Sequence, residues 1–192
     1  MVSTRRVDAI KGLETISVDE SHDPRGVFRN LFRSAAESPP LLDFGVRQVN
    51  LSFTKQHGTI RGMHLQVSDA AEEKVVHCLK GEIFDVIVDL RPNSVTCGRW
   101  YGQVLSADHG MGLLIPRGCA HGFQTLTNSC EVLYLHDRDY VPASESGVNA
   151  LDETLGIEWP LPVTSMSERD KKLGSLDEAL QRSGFTESDN EL

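Results

Sequence analysis

The sequence has no CxxC pair, no excess of positive charge, no long apolar run, no internal repeat and little helical periodicity. Each of these absences excludes something. Its four cysteines, Cys78, Cys97, Cys119 and Cys130, lie far apart and mostly inside apolar stretches. They read as buried reduced thiols rather than as disulfides or a zinc site. The formal charge of -9 argues against a nucleic-acid surface, though a local basic pocket for a small phosphorylated ligand remains compatible with it. No apolar run approaches the roughly 20 residues needed to span a bilayer, and the N-terminus carries no signal-type apolar core, which points to the cytoplasm. No stretch reads as a linker. At 192 residues the chain suits one sizeable core and is short for two, so residues 1–185 are expected to form a single domain.

What the sequence does have is a succession of short strand-like runs. These are residues 46–54, 58–66, 73–79, 82–90, 98–105, 112–115, 122–126 and 131–135, separated by turn signals such as His57-Gly58, Lys80-Gly81 and Arg91-Pro92-Asn93-Ser94. Short strands at regular spacing predict an all-β sandwich or barrel. One short helix is expected over 175–183, capped by Ser175, with Leu176, Ala179 and Leu180 facing the body and Gly184 stopping it. Residues 186–192 are polar and acidic and are expected to be disordered.

Within this pattern, residues 110–123 contain a Gly, five residues, Pro116-x-Gly118, two residues and His121. That spacing resembles one half of a cupin motif, in which a turn feeds a strand and His121 points into a barrel. The other half is Gly58, then His64, then Gly81. Where metal-binding cupins place a second histidine and a glutamate, this chain has Gln66 and Lys74. A cation thus replaces an anionic ligand. The resemblance implies a cupin-type jelly-roll β-barrel without a metal.

Several residues then become candidates for chemistry, each beside a plainer reading. His64 follows Arg61-Gly62-Met63; a bulge at Gly62 would bring Arg61 and His64 to one pocket, although a strand histidine is more often structural. Lys74 is either a strand-edge lysine paired with a glutamate or an inward ammonium that favours a developing oxyanion. Tyr134 shares strand parity with Val132 and faces inward, as a core phenol or as a general acid at the barrel mouth. Asp170 either belongs to a Ser167-x-x-Asp170 cap or orients a catalytic histidine. Asp23-Pro24-Arg25-Gly26 is first a β-turn, with Arg25 a second cation that can meet phosphate; Gln48, Asn50 and Phe28 carry no signal of their own.

Together these blocks resemble the dTDP-4-dehydrorhamnose 3,5-epimerases and related nucleotide-sugar epimerases, over about residues 10–173. The marks are Asp-Pro-Arg-Gly-Val-Phe (23–28), Gln-Val-Asn-Leu-Ser (48–52), Arg-Gly-Met-His-Leu-Gln (61–66), Lys-Val-Val (74–76), Ile-Pro-Arg-Gly-Cys-Ala-His-Gly-Phe (115–123), Glu-Val-Leu-Tyr (131–134), Ile-Glu-Trp-Pro (157–160) and Ser-Glu-Arg-Asp (167–170). The resemblance implies a cofactor-independent isomerase that inverts C3, C5 or both of a nucleotide-linked 4-keto-6-deoxy sugar, for deoxysugar or polysaccharide biosynthesis. It implies His64 as base, Asp170 as its holder, Tyr134 as the acid on the opposite face and Lys74 as the stabiliser of the C4 enolate. Arg25, Phe28, Gln48, Asn50, Arg61 and His121 become substrate contacts. It further implies a homodimer with an exchanged N-terminal strand. The chain departs from the common pattern at Asn30, Met63, Leu65, His77-Cys78 and Leu135, all outside the catalytic set. Two other classes stand beside this one: a metal-dependent cupin oxygenase, against which Gln66 and Lys74 weigh, and a silent sugar-binding cupin, against which the intact catalytic set weighs.

Overall fold

The computed structural model describes residues 2–32 and 44–182. Thirteen strands are present among them. The first four are β1 (Ser3–Arg6), β2 (Glu14–Ser17), β3 (Glu20–Asp23) and β4 (Gly26–Arg29). There follow β5 (Gln48–Thr54), β6 (Ile60–Gln66), β7 (Lys74–Lys80), β8 (Glu82–Asp89) and β9 (Trp100–Ser106). Then come β10 (Gly112–Ile115), β11 (Cys119–Thr125), β12 (Cys130–His136) and β13 (Glu145–Gly147), before a single helix, α1 (Leu176–Arg182).

Eight of these strands are the eight runs expected from the sequence, with small shifts at their ends; β11 starts at Cys119, three residues before the expected Gly122. Strands β1 to β4 and β13 were not expected, because each is only three or four residues long and β3 and β4 bury little. Ser175 Oγ accepts the Glu178 N–H at 3.3 Å, the expected cap, and Ala179 is buried with Leu176 and Leu180 beside it. Ser183, the Gly184 stop and the 186–192 tail lie outside the described residues.

The strands form two antiparallel sheets and a separate hairpin. One sheet has the order β1-β2-β10-β7-β12-β5 and the other β13-β6-β11-β8-β9; β3 and β4 pair only with each other. Inward residues of both sheets share one core: Val76, Leu113 and Val132 from the first meet Ile83, Ile87, Leu105 and Phe123 from the second. Each such fully buried aliphatic contributes about 1.5–3 kcal/mol. This is the all-β, cupin-type jelly roll with a short C-terminal helix. A second core, with Ile60, Met63, Val86, Val88 and Ala120, packs the outer side of the five-stranded sheet against α1 and the segment around Trp159.

The register of β6 against β11 is the feature that builds the site. His64 pairs with His121, but Arg61 pairs with Phe123, so β6 spends one residue more than its partner. That is a bulge, and it sits at Gly62. Gly62 has φ +117°, and a Cβ there would lie 2.6 Å from the Gly122 Cα and 2.7 Å from the His121 carbonyl oxygen. Only glycine permits this backbone and this close approach. The expected bulge therefore does bring Arg61 and His64 to one side, where strict alternation would separate them.

Candidate active site

At one end of the roll the two sheets splay around a cavity of about 720 Å³. Six-stranded-sheet residues line one wall: Gln48, Asn50 and Ser52 from β5, Lys74 from β7, Tyr134 and His136 from β12. Arg61, His64 and Gln66 from β6, with His121 and Phe123 from β11, line the other. A segment that runs past the start of β6, held by the Ile60 N–H to the Ser165 carbonyl at 2.9 Å, adds Ser167, Arg169 and Asp170. The volume is typical of a site for a small organic ligand.

His64 Nε2 lies 2.8 Å from Asp170 Oδ1. Burial pushes the Asp170 carboxyl up, but the His64 contact and the Gly62 N–H, 3.2 Å from Oδ2, outweigh it and hold the group below the usual carboxylate range. An ionised carboxylate only accepts, so the His64 proton sits on Nε2 and the lone pair on Nδ1 is free. Asp170 also fulfils the plainer reading: its N–H donates to Ser167 Oγ at 3.0 Å as it opens a 3₁₀ turn. The cap fixes the backbone and the carboxylate serves the histidine.

Tyr134 faces inward beside Val132, as parity required. Its hydroxyl is 3.1 Å from Ser52 Oγ, and burial pushes its pKa up, so the phenol stays protonated. Lys74 lines the cavity and is also paired, with its Nζ 2.8 Å from Glu72 Oε1. His121 Nε2 lies 2.7 Å from Asp85 Oδ1, a pair that is almost wholly buried beneath the cavity floor. Arg61 donates through Nε to Thr54 Oγ1 at 2.8 Å and through Nη2 to the Phe53 carbonyl at 3.2 Å. Among the described residues its guanidinium meets only neutral oxygens, which makes it the natural seat for an anionic group.

Gln66, at the position where metal-binding cupins place a second histidine, has a structural role. Its amide donates to Glu72 Oε2 at 2.9 Å and its oxygen accepts the Val141 N–H at 2.6 Å, tying β6 to the 139–141 turn. Among the described residues no group of three or more His, Cys, Asp or Glu side chains is arranged to hold a metal ion.

Two of the ten expected site residues are not brought to the cavity by this chain. Arg25 and Phe28 lie on the β3–β4 hairpin, where Arg25 folds back onto Asp23 at 2.5 Å and Phe28 is 73% exposed. The hairpin pairs with neither sheet, so within one chain nothing carries them to the site. Other cavity residues escaped the sequence reading. His136 was signalled by its parity with Tyr134, and Asp85, beneath the cavity rather than on its wall, by its parity with Ile83 and Ile87 in an apolar run. Glu72, Glu145 and Arg169 had no such sign. At the rim, Tyr140 donates to Glu145 Oε2 at 2.5 Å and Arg169 pairs with Glu145.

Residues 8–178 match the family model described as dTDP-4-dehydrorhamnose 3,5-epimerase. The chain is 39% identical over 163 residues to the dTDP-4-dehydrorhamnose 3,5-epimerase of Escherichia coli, covering 83% of this chain and 86% of that one. It is 35% identical over 174 residues to the dTDP-4-dehydrorhamnose 3-epimerase of Streptomyces niveus, covering 88% and 82%. The crystal structure of dTDP-6-deoxy-D-glucose-3,5-epimerase from Legionella pneumophila in complex with dTDP-4-keto-L-rhamnose superposes with a TM-score of 0.82 at 33% identity, covering 92% of this chain and 93% of that one.

Proposed function

The chain belongs to the dTDP-4-dehydrorhamnose 3,5-epimerase family of isomerases, and from that premise we propose that it inverts C3, or both C3 and C5, of a dTDP-linked 4-keto-6-deoxy sugar. The observation that carries the reading is the His64–Asp170 dyad, with its free Nδ1, in a cavity that Lys74 and Tyr134 also line.

The chemistry follows from these groups. A C–H next to the C4 ketone is acidified because its loss gives an enolate. His64 Nδ1 takes that proton, and Asp170 stabilises the imidazolium formed. The bonding electrons move onto the C4 oxygen, where the Lys74 ammonium faces the new negative charge. Tyr134 then gives its proton to the same carbon from the other side of the ring and leaves a phenolate. A raised phenol pKa suits this role, since the phenol is fully protonated at the start and an enolate carbon is a far stronger base. Both groups reset through solvent. Gln48, Asn50 and His121 contact the sugar, and Arg61 takes a phosphate. The scheme uses no cofactor.

Arg25 and Phe28 enter through a second copy. Val49, Leu51 and Phe53 line the outer face of β5, an edge strand, and all three are exposed. A homodimer with an exchanged N-terminal strand covers that face and delivers the β3–β4 hairpin to a partner's cavity. Four free cysteines and the absence, among the described residues, of any helix long and apolar enough to cross a membrane support a cytoplasmic enzyme.

The test is incubation with dTDP-4-keto-6-deoxyglucose in deuterium oxide, read by NMR at each ring carbon. The proposal expects deuterium and inverted configuration at C3, or at both C3 and C5. Binding without exchange at either carbon would leave a sugar-binding cupin instead.

A further inference from the structure

The scheme above gives no task to Glu72, yet Glu72 holds together the wall of the cavity that faces His64. Its side chain is 8% exposed, and its carboxylate meets three partners. Lys74 Nζ is 2.8 Å from Oε1, Gln66 Nε2 donates to Oε2 at 2.9 Å, and His136 Nδ1 is 3.1 Å from Oε2. The His136 approach is out of line with the ring N–H, so it is a close polar contact rather than a directed hydrogen bond.

His136 in turn stacks on Tyr134, with ring centroids 6.1 Å apart and planes 20° from parallel. Its Nε2 lies 3.3 Å from Asn50 Nδ2. Asn50 Oδ1 is occupied by the Gln48 amide at 3.1 Å, so the Asn50 amide donates to His136 Nε2. That leaves the ring proton on Nδ1, the side facing Glu72. Lys74 and Gln66 therefore donate to Glu72, and His136 turns its N–H edge toward it. Burial pushes the Glu72 carboxyl up, but His136 and Lys74 outweigh it and hold it at about 2, so it is ionised wherever the protein is folded near neutrality.

We propose that Glu72 is the positioning residue of this site: one buried carboxylate that aims Lys74 into the cavity and keeps His136 stacked on Tyr134. The oxyanion stabiliser and the acid of the opposite face thus share a single anchor. A lysine ends in a compact charge on a flexible four-carbon stem, and electrostatic stabilisation depends on its being in place before charge develops. Neutral glutamine cannot do the same work, since it offers one acceptor oxygen and turns an NH₂ either toward Lys74 or toward Gln66 and His136. The inference rests on the epimerase reading for its kinetic consequence, but its structural part is readable without substrate.

The experiment compares wild-type protein with Glu72→Gln and Glu72→Asp in two measurements. The first is ¹⁵N NMR of the free protein. Glu72→Gln is expected to shift the His136 ring nitrogens and to abolish the slow exchange of the Lys74 ammonium protons. The second is solvent deuterium exchange into dTDP-4-keto-6-deoxyglucose per folded molecule. Glu72→Gln is expected to slow exchange about 10- to 100-fold, less than the loss of an oxyanion donor itself, and to lower the ratio of inverted product to exchange, with KM little changed. Glu72→Asp, which keeps the charge with a shorter reach, restores part of both and serves if the glutamine variant does not fold. Unchanged Lys74 and His136 signals overturn the inference, as does a variant that only melts lower while exchange and product ratio stay at wild-type values. A wild-type protein that exchanges no deuterium defeats the epimerase reading, and NMR of the free protein still decides the anchoring.

Discussion

At the scale of single residues, the His64–Asp170 pair sets what the site can do. The carboxylate accepts from the ring nitrogen at 2.8 Å and so leaves the lone pair on the other nitrogen, which the proposed reaction uses. Asp170→Asn keeps the shape and the Gly62 contact but presents an amide that can donate to the ring and stabilise the wrong tautomer. Its kcat is expected to fall about 10²- to 10⁴-fold with the melting temperature little changed. A melting temperature that drops while turnover per folded molecule holds would reduce Asp170 to the cap of its 3₁₀ turn. Tyr134→Phe separates the two halves of the reaction. Deuterium still washes into the substrate through His64, while inverted product falls about 10²- to 10⁴-fold, the usual worth of a placed acid. An unchanged ratio of product to exchange would make Tyr134 a packing residue, since its ring also lies against His121 at 6.0 Å.

At the scale of elements, the bulge in β6 decides which side chains meet. Gly62→Ala adds a Cβ within 2.7 Å of backbone on β11 at a φ of +117°. Gly156 has φ +61° with open space around it, so Gly156→Ala carries only the conformational strain. Denaturant titration is expected to show a loss of about 1 kcal/mol for Gly156→Ala and about 3 kcal/mol or more for Gly62→Ala. Equal losses would mean that β11 yields to the new methyl. This bulge also shows how far a sequence can be read. Arg61-Gly62-Met63-His64 named the place where alternation had to break, and the long strands followed from turn residues and alternating burial. The strands β1 to β4 were invisible because four residues are too few to show an alternation, and β3 and β4 also bury little. Glu72 was visible only as the acidic neighbour of Lys74, since its three partners come from β6, β7 and β12 and meet only after the sheet has formed. Arg25 and Phe28 were named from motif resemblance, and the single chain leaves them on a hairpin that pairs with neither sheet.

At the scale of the whole molecule, stability should erode with acid in two overlapping stages. His77 is buried in the six-stranded sheet, and neither ring nitrogen has an aligned partner among the described residues. Desolvation lowers its pKa from 6.5 to about 4, partly offset by backbone of Leu31 and Met111. The unfolded chain therefore binds a proton that the folded chain refuses, and stability is lost as pH falls from 6.5 toward about 4. Glu72, lowered from 4.5 to about 2, is an acid with a depressed folded value, so its contribution is present above pH 4.5 and is lost from there toward about 2. Glu73 and Asp85, raised by burial, act in the opposite sense. The difference between wild type and His77→Leu isolates the first stage. It is expected to be flat above pH 6.5 and to fall between 6.5 and about 4. A difference that does not vary with pH would show that His77 is not held neutral in the fold.

In the proposed reaction, proton removal by His64 is the step on which everything else depends. Its most direct test is deuterium exchange at C3 and C5 of dTDP-4-keto-6-deoxyglucose by His64→Ala, with folding checked by thermal melting. The variant is expected to fold, with exchange at both carbons reduced to the uncatalysed rate. Exchange at the wild-type rate in that variant would contradict it, and the base would have to be sought among the other cavity residues.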